Sequence, residues 1–346
     1  MIAIDFFCGG GGMTKGLMDA GIDVLFGLDS NPYCRDTYEK NNLIPYLCHD
    51  IQKVSSKELI SKYPALKKNE DLLMVGCAPC QPFSLLRKGT EEHISVNLLS
   101  EFGRLMAELR PAHIIVENVP GIKGRGQDVL EKFLILLKEN GYSHSAKVVN
   151  AKNYGVPQSR KRFILIASRI FVPKIPEFTH GDGFLPYKTV SDAIRKYPDL
   201  KAGEDNINIP NHRASGMSEK TLERIKATPH DGGGRLDWPD NLWLECHKNG
   251  FMGHSDVYGR MAWNSISPTL TVKCFSISNG RFGHPDQDRA ISLRESAALQ
   301  SFPDDYIFYG NMQEVGKQIG NAVPVLLAKH IGEYIKFNHN NTTQKY

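Results

Sequence analysis

No run of about 18 uninterrupted apolar residues occurs in this 346-residue chain, so nothing in it reads as a membrane-spanning helix. Charge of one sign is also missing: 42 Lys and Arg against 38 Asp and Glu leave a net charge of +4, which permits a nucleic-acid partner without demanding one. Cysteine is sparse and odd in number, seven in all, which argues against a disulfide framework and for a reducing compartment. Only one Cys-x-x-Cys exists, Cys77 to Cys80, and Cys246-His247 is too close-set to complete a zinc pattern, so no metal is expected. The opening residues Met1-Ile2-Ala3-Ile4-Asp5 lack the basic, apolar and cleavage segments of a secretory signal, and a cytoplasmic location is expected. There is no internal repeat and no low-complexity stretch.

The first half instead alternates short apolar runs with amphipathic stretches. Strands are predicted at 2–6, 22–28, 46–48, 72–76, 113–117, 143–149 and 162–167. Helices are predicted near 13–20, 32–42, 56–63, 98–109 and 127–140. Gly21 and Gly141 stand where helix-terminating glycines belong. This alternation predicts an α/β fold with a doubly wound, mostly parallel sheet. From about residue 170 the chain turns rich in Pro and Gly, including Gly232-Gly233-Gly234, and reads as a smaller loop-rich domain. Helical character returns at 292–300 and 324–337. The expected division is 1–169, 170–290, and a segment 291–346 that rejoins the first domain.

Three constellations carry chemistry. Asp5-Phe6-Phe7-Cys8-Gly9-Gly10-Gly11-Gly12 follows the first strand and precedes a helix, where glycines let the backbone approach a ligand. Asp29 closes the second strand, where a carboxylate reaches a ribose hydroxyl, and Asp50 closes the third. On these residues alone a nicotinamide or flavin enzyme stays as open as a methyltransferase. The second constellation, Gly76-Cys77-Ala78-Pro79-Cys80-Gln81-Pro82-Phe83-Ser84, leaves the fourth strand; a cysteine in a proline-stiffened loop at that edge is placed as a nucleophile. A redox pair is the competing reading and lacks a thioredoxin-like context. The third is acid and base-edge chemistry: Glu117-Asn118-Val119 ends the fifth strand, and Arg160 and Arg162 open the seventh. In strand geometry those two guanidinium groups share one face and both point into the cleft.

Taken together and in this order, these blocks resemble the DNA (cytosine-5)-methyltransferase family, prokaryotic restriction–modification type, across nearly the whole chain. Arg294-Glu295-Ser296-Ala297-Ala298-Leu299-Gln300-Ser301-Phe302-Pro303 and Gln318-Ile319-Gly320-Asn321-Ala322-Val323-Pro324 resemble its last two blocks. The resemblance implies a Rossmann-like domain that binds S-adenosyl-L-methionine and releases S-adenosyl-L-homocysteine. It implies Cys80, Glu117, Arg160 and Arg162 as catalytic. It implies a cofactor pocket made by Phe7, Cys8, Gly9, Gly10, Gly11, Gly12, Asp29, Asp50, Ile51, Pro79, Leu98, Asn321 and Ala322. Position 30 is Ser where some relatives carry an aromatic, so no ring stack is expected from it.

The implied substrate is double-stranded DNA with the target cytosine flipped out, because a nucleophile cannot reach a stacked base. Residues 82–97 would form a loop over DNA, with Ser84, Arg87 and Lys88 touching it. Residues 170–290 would be the target-recognition domain, in which Thr269 and Leu270 belong to a short family element. Arg213, Arg224, Arg235, Arg260, Lys273 and Arg281 stand as unranked phosphate or guanine contacts. A monomer working in the prokaryotic cytoplasm at the nucleoid, with a cognate restriction endonuclease for the same site, completes the expectation. The competing readings are a tRNA cytosine-5 methyltransferase and a catalytically silent DNA-binding relative.

Overall fold

The computed structural model describes residues 1–78, 96–248 and 255–343, with the side chains of Val96 and Asn97 excepted. The chain divides into two compact units: Met1–Tyr154 with Lys161–Thr179 and Val323–Tyr346, and Gly155–Arg160 with His180–Ala322.

The first unit is a seven-stranded sheet in the order β3-β2-β1-β4-β5-β7-β6. Its strands are β1 (Ile2–Phe6), β2 (Asp23–Asp29), β3 (Tyr46–Cys48), β4 (Leu72–Gly76), β5 (His113–Asn118), β6 (Ser143–Asn150) and β7 (Lys161–Ser168). The first five are parallel; β7 runs antiparallel to both β5 and β6. Every residue of β4 and β5 is buried, the pattern of a strand covered on both faces. The covering helices are α1 (Gly12–Asp19), α2 (Arg35–Asn42), α3 (Ser56–Lys62), α4 (Val96–Leu109) and α5 (Gln127–Glu139). In α4, Leu99, Phe102, Met106 and Leu109 recur at helical spacing and face the sheet core. Gly21 and Gly141 both adopt positive φ, +71° and +80°, and end their helices as expected.

The second unit contains α6 (Val190–Ile194), α7 (Glu219–Ala227), α8 (Glu245–Lys248), α9 (Leu293–Leu299) and α10 (Met312–Asn321). Among its described residues there are only isolated β-bridges and no strand. Its core is Val190, Ile194, Met261, Trp263, Leu270, Cys274, Phe282, Ile291 and Leu299. A capping box of Ser292 and Glu295 starts α9, and Arg289 grips the same Glu295 carboxylate with both Nη atoms at 2.7 and 2.8 Å.

The unit edges differ from the expected 170 and 291. Residues 170–179 stay with the sheet because the Lys174 amide donates to Tyr334 and the Thr179 amide to Asn153. Residues 291–322 join the second unit because Arg294 donates to the Pro210 carbonyl and Gln300 accepts from Gln158. The chain returns to the sheet as α11 (Val325–Thr343), which lies against α1. Gly16 makes that approach possible: a Cβ there would lie 2.4 Å from the Ala328 Cβ and 2.5 Å from the Val325 carbonyl oxygen. Gly16→Ala is expected to lower stability by about 1–3 kcal/mol through overpacking, read as a fall in Tm; an unchanged Tm would show that the two helices can part.

Candidate active site

The turn after β1 follows an unusual backbone path. Phe7 takes φ +60°, a left-handed conformation uncommon for a bulky residue and typical of functional turns. Gly9 and Gly11 follow at +49° and +86°, and among the described residues beyond its chain neighbours no atom lies within 4 Å of where a Gly9 Cβ would sit. Asp29 fastens the turn: one carboxylate oxygen accepts from the Gly9 amide at 3.0 Å, the other from the Asn31 amide at 2.9 Å. Burial pushes the Asp29 carboxyl above its usual range, against those amides. Phe7 is half-buried on the sheet core, whereas Cys8 turns its thiol into a cluster with Cys34, Tyr38 and Tyr46. Cys8 therefore has only backbone to offer a cofactor. Gly10 and Gly12 are buried, Gly12 as the first residue of α1.

Beneath the turn lies Asp5, fully buried. Its carboxylate accepts from Thr14 Oγ1 at 2.7 Å, and that hydroxyl is 2.8 Å from the Tyr38 hydroxyl. Burial raises the Asp5 pKa to about 7, opposed by the Thr14 hydroxyl and assisted by Asp29.

Asp50 caps the turn after β3, accepting from the Gln52 amide at 3.0 Å. Ile51 buries its side chain in the core, so any contact it makes with a cofactor comes from its backbone. Arg104 on α4 reaches back to this turn, donating to the carbonyls of Val54 at 2.9 Å and Ile51 at 3.4 Å. Leu98, on the same helix, is half-buried against the sheet core, as Phe7 is.

At the end of β5, Glu117 pairs with Arg162: Oε1 and Nε are 2.9 Å apart, with the two side chains 11% and 13% exposed. Glu117 stands opposite Ile164 in the antiparallel β5–β7 register. Arg162 lies two residues along on the same face, at the diagonal position. Asn118 Nδ2 donates to the Ala78 carbonyl at 3.3 Å and its Oδ1 accepts from the Val119 amide, fixing the β5 end to the exit of β4. Cys77, which bonds Phe6 through its amide, has its thiol pKa pushed well up by burial and by the charges of Glu117 and Asp5. Pro79, Cys80, Ser84, Arg87 and Lys88 lie outside the described residues.

In the second unit Arg160 is 1% exposed and donates to the carbonyls of Leu270, Gly320 and Ala322 at 3.0, 2.8 and 3.2 Å. The expected pairing of Arg160 and Arg162 on one strand face is corrected here: β7 begins at Lys161, and Arg160 is enclosed by backbone. Gln158 works beside it, accepting from the Leu270 amide and donating to Gln300, which in turn donates to the Ile319 carbonyl. Leu270 is 1% exposed in the core, so its side chain is not available to DNA as expected. Thr269 donates its hydroxyl to the Ser159 carbonyl, leaving that oxygen as an acceptor only. Asn321 ends α10 exposed, and Ala322 follows it buried. Gln158, Gln300 and Asn118 all lay within the quoted sequence blocks but had no assigned role; only their buried contacts reveal it.

Among the described residues no cluster of three or more His, Cys, Asp or Glu can hold a metal, and no helix is long and apolar enough to cross a membrane. Residues 1–337 match the family model for the C-5 cytosine-specific DNA methylase. The chain belongs to this family. A Type II methylase of Herpetosiphon aurantiacus, M.HgiDII, is 42% identical over 96% of this chain and 94% of its own. The Type II methyltransferase M1.HphI of Haemophilus parahaemolyticus is 33% identical over 97% and 87%. A solved prophage-encoded DNA modification methyltransferase of E. coli shares the fold, with TM-score 0.74 and 23% identity over 99% of both chains.

This methylase is thus a DNA cytosine-5 methyltransferase on an α/β, Rossmann-like frame. Two outcomes follow from the geometry. Arg160→Met is expected to cost about 3 kcal/mol or more, since each of three orphaned carbonyls costs about 1–3, whereas Glu117→Gln keeps a neutral hydrogen-bonding partner for Arg162, lowers Tm by less than Arg160→Met, and lowers methylation by at least about 100-fold. Paired thermal melts and methyl-transfer rates check both, and a reversed pattern would exchange the two roles. Asp5 binds its proton more tightly folded than unfolded, so stability contributed by its neutral form falls as pH rises from about 4 to about 7. The Tm advantage of Asp5→Asn should widen across that window and stay level above it; a gap independent of pH would show that Asp5 is ionised throughout.

Proposed function

We propose that this enzyme methylates a flipped-out cytosine within a short sequence of double-stranded DNA, using S-adenosyl-L-methionine and a covalent adduct of Cys80 at carbon 6. The observation that carries the reading is the Glu117–Arg162 pair at the edge where β4 leads on toward Cys80. Carbon 5 of cytosine is not nucleophilic by itself. Addition of the Cys80 thiolate to carbon 6 makes the ring an enamine, whose carbon 5 then attacks. Glu117, once it has taken up a proton in exchange for its Arg162 partner, donates it to ring N3, and Arg162 donates to the exocyclic oxygen, so both stabilise charge that develops during addition. When bound, the cofactor supplies an electrophilic methyl on sulfonium sulfur. A base then removes the carbon-5 proton, and the carbon 6–sulfur bond breaks to return the thiolate.

The residues around the β1 turn fit that cofactor. Gly9 offers backbone with open space beside it, and each Asp29 oxygen keeps a lone pair for a ribose hydroxyl. Phe7 would meet the adenosine, Asp50 and the Ile51 backbone the adenine, with Leu98 beside it; Pro79, Asn321 and Ala322 complete the proposed set. Arg160 acts as a positioning residue, holding the segment that ends in Asn321 and Ala322. The second unit recognises the target, with Thr269 as an acceptor near DNA and Ser84, Arg87 and Lys88 contacting it from the loop after Cys80. A cytoplasmic, monomeric enzyme partnered by a restriction endonuclease for the same sequence fits the Type II relatives.

Tritiated methyl transfer to mixed-sequence duplex DNA, followed by bisulfite sequencing, tests the reading. Label at cytosine carbon 5 within one short motif is expected, and Cys80→Ser should abolish turnover while duplex binding survives. Cofactor binding without label on duplex DNA would overturn the substrate, and full activity of Cys80→Ser the nucleophile.

A further inference from the structure

The six basic residues that sequence leaves unranked in the second unit separate cleanly in the structure. Arg260 is fully buried on the carbonyls of Thr228, Ile225, His284 and Gln287. Arg224 is 6% exposed, donates to the Leu242 carbonyl, and has its guanidinium near the rings of Trp238 and Tyr258; Arg235 is 2% exposed. Lys273 is exposed and Arg213 half-buried, and neither side chain is clamped by a described hydrogen bond. Arg281 alone combines a fixed guanidinium with an accessible edge.

Its Nη1 donates to the carbonyls of Gly232, Gly233 and Arg260 at 2.6, 3.0 and 3.2 Å. The side chain is nonetheless 29% exposed. No described residue accepts from Nη2, and Nε has the Asp256 carboxylate 3.6 Å away, beyond hydrogen-bond reach. Glycines shape the shelf it lies on: a Cβ on Gly259 would sit 2.8 Å from the Arg281 Cζ. The same guanidinium lines a cleft of about 230 Å³ shared with Gly232, Ser265, Ser267 and Pro268, the last adjoining Thr269.

We propose that Arg281 reads a guanine in the recognition sequence through this outward Nη2–Nε edge; the inference rests on the duplex-DNA reading above. A planar fork of two donors matches the O6 and N7 acceptors of guanine in the major groove. The neighbouring Asp256 carboxylate repels a fully charged phosphate far more strongly than the partial charges of a base edge. Anchoring Nη1 removes the rotamer entropy that a free arginine loses on binding.

The test is methylation of a sequence-randomised duplex library, read by bisulfite sequencing, with duplex affinity measured against salt concentration. The parent should require guanine at one position. Arg281→Gln and Arg281→Lys should both relax that position by about 5- to 150-fold, leave the others intact, and keep the salt slope. Gly234→Ala covers the case where those variants fail to fold: its Cβ, on extended backbone at φ −144°, lies 3.6 Å from Nη2 and crowds the reading edge without touching the clamp. The same position should relax. Uniform weakening over all sequences with the salt slope reduced by about 1 marks a phosphate contact and overturns the inference, as does a motif without a fixed guanine. A parent that labels no duplex overturns the DNA reading itself, and this inference with it.

Discussion

Backbone carbonyls buried away from any sheet must find donors, and in the second unit arginine supplies them. A buried carbonyl left unpaired costs about as much as a lost hydrogen bond. Among its described residues this unit has no strand to satisfy such groups. Among the described residues Arg160, Arg260, Arg289 and Arg294 are the four largest fully enclosed side chains, and each donates to backbone carbonyls. One guanidinium carries five donors in a fixed plane, so a single residue fastens several loop segments at once. Arg294 holds Pro210, Pro303 and Tyr306; Arg160 holds Leu270, Gly320 and Ala322. Loops are tied to one another in this way without sheet ladders.

The first unit meets its own constraint by topology. Parallel strands β1 to β5 deliver their carboxyl ends to one edge, where Phe7, Asp29, Asp50, Cys77 and Glu117 all emerge. A further parallel strand beside β5 would bring its amino end to the opposite edge. Because β7 is antiparallel, its first residues come to the site edge, and Arg162 meets Glu117 there. The reversed strand is thus a condition of the site.

Most of the first unit was legible because its strands are continuous apolar runs punctuated by turn residues. The β1 and β4 limits coincide with those expected, and Gly21 and Gly141 end helices where the sequence puts them. Two kinds of feature were hidden. Helix α10 carries Gly316 and Gly320, which weaken its helical pattern; they are there because a Cβ at either would strike Phe275 or the Thr271 carbonyl. Helix α7 is predominantly polar and reads as loop. The roles of basic residues were hidden more deeply. An arginine on a solvated face and one that satisfies three carbonyls look alike in sequence, which is why Arg260 stood among the DNA contacts and Arg160 beside Arg162. The same ambiguity concealed Arg281, whose two edges do different things.

The pairing of Glu117 with Arg162 has its own logic. A carboxylate and a guanidinium, both largely withdrawn from water, would each be costly alone. Pairing Glu117 with Arg162 satisfies both before substrate arrives, so the empty site needs no compensating strain. In the proposed reaction a cytosine ring offers an N3 acceptor, which Glu117 can engage as a donor only after taking up a proton, and an exocyclic oxygen for the Arg162 guanidinium. Entry of the base together with that proton therefore exchanges one set of partners for another. In the mechanism proposed above the exchange also favours the transition state, because the ring's charge would grow as Cys80 adds, while the mutual attraction of Glu117 and Arg162 would not.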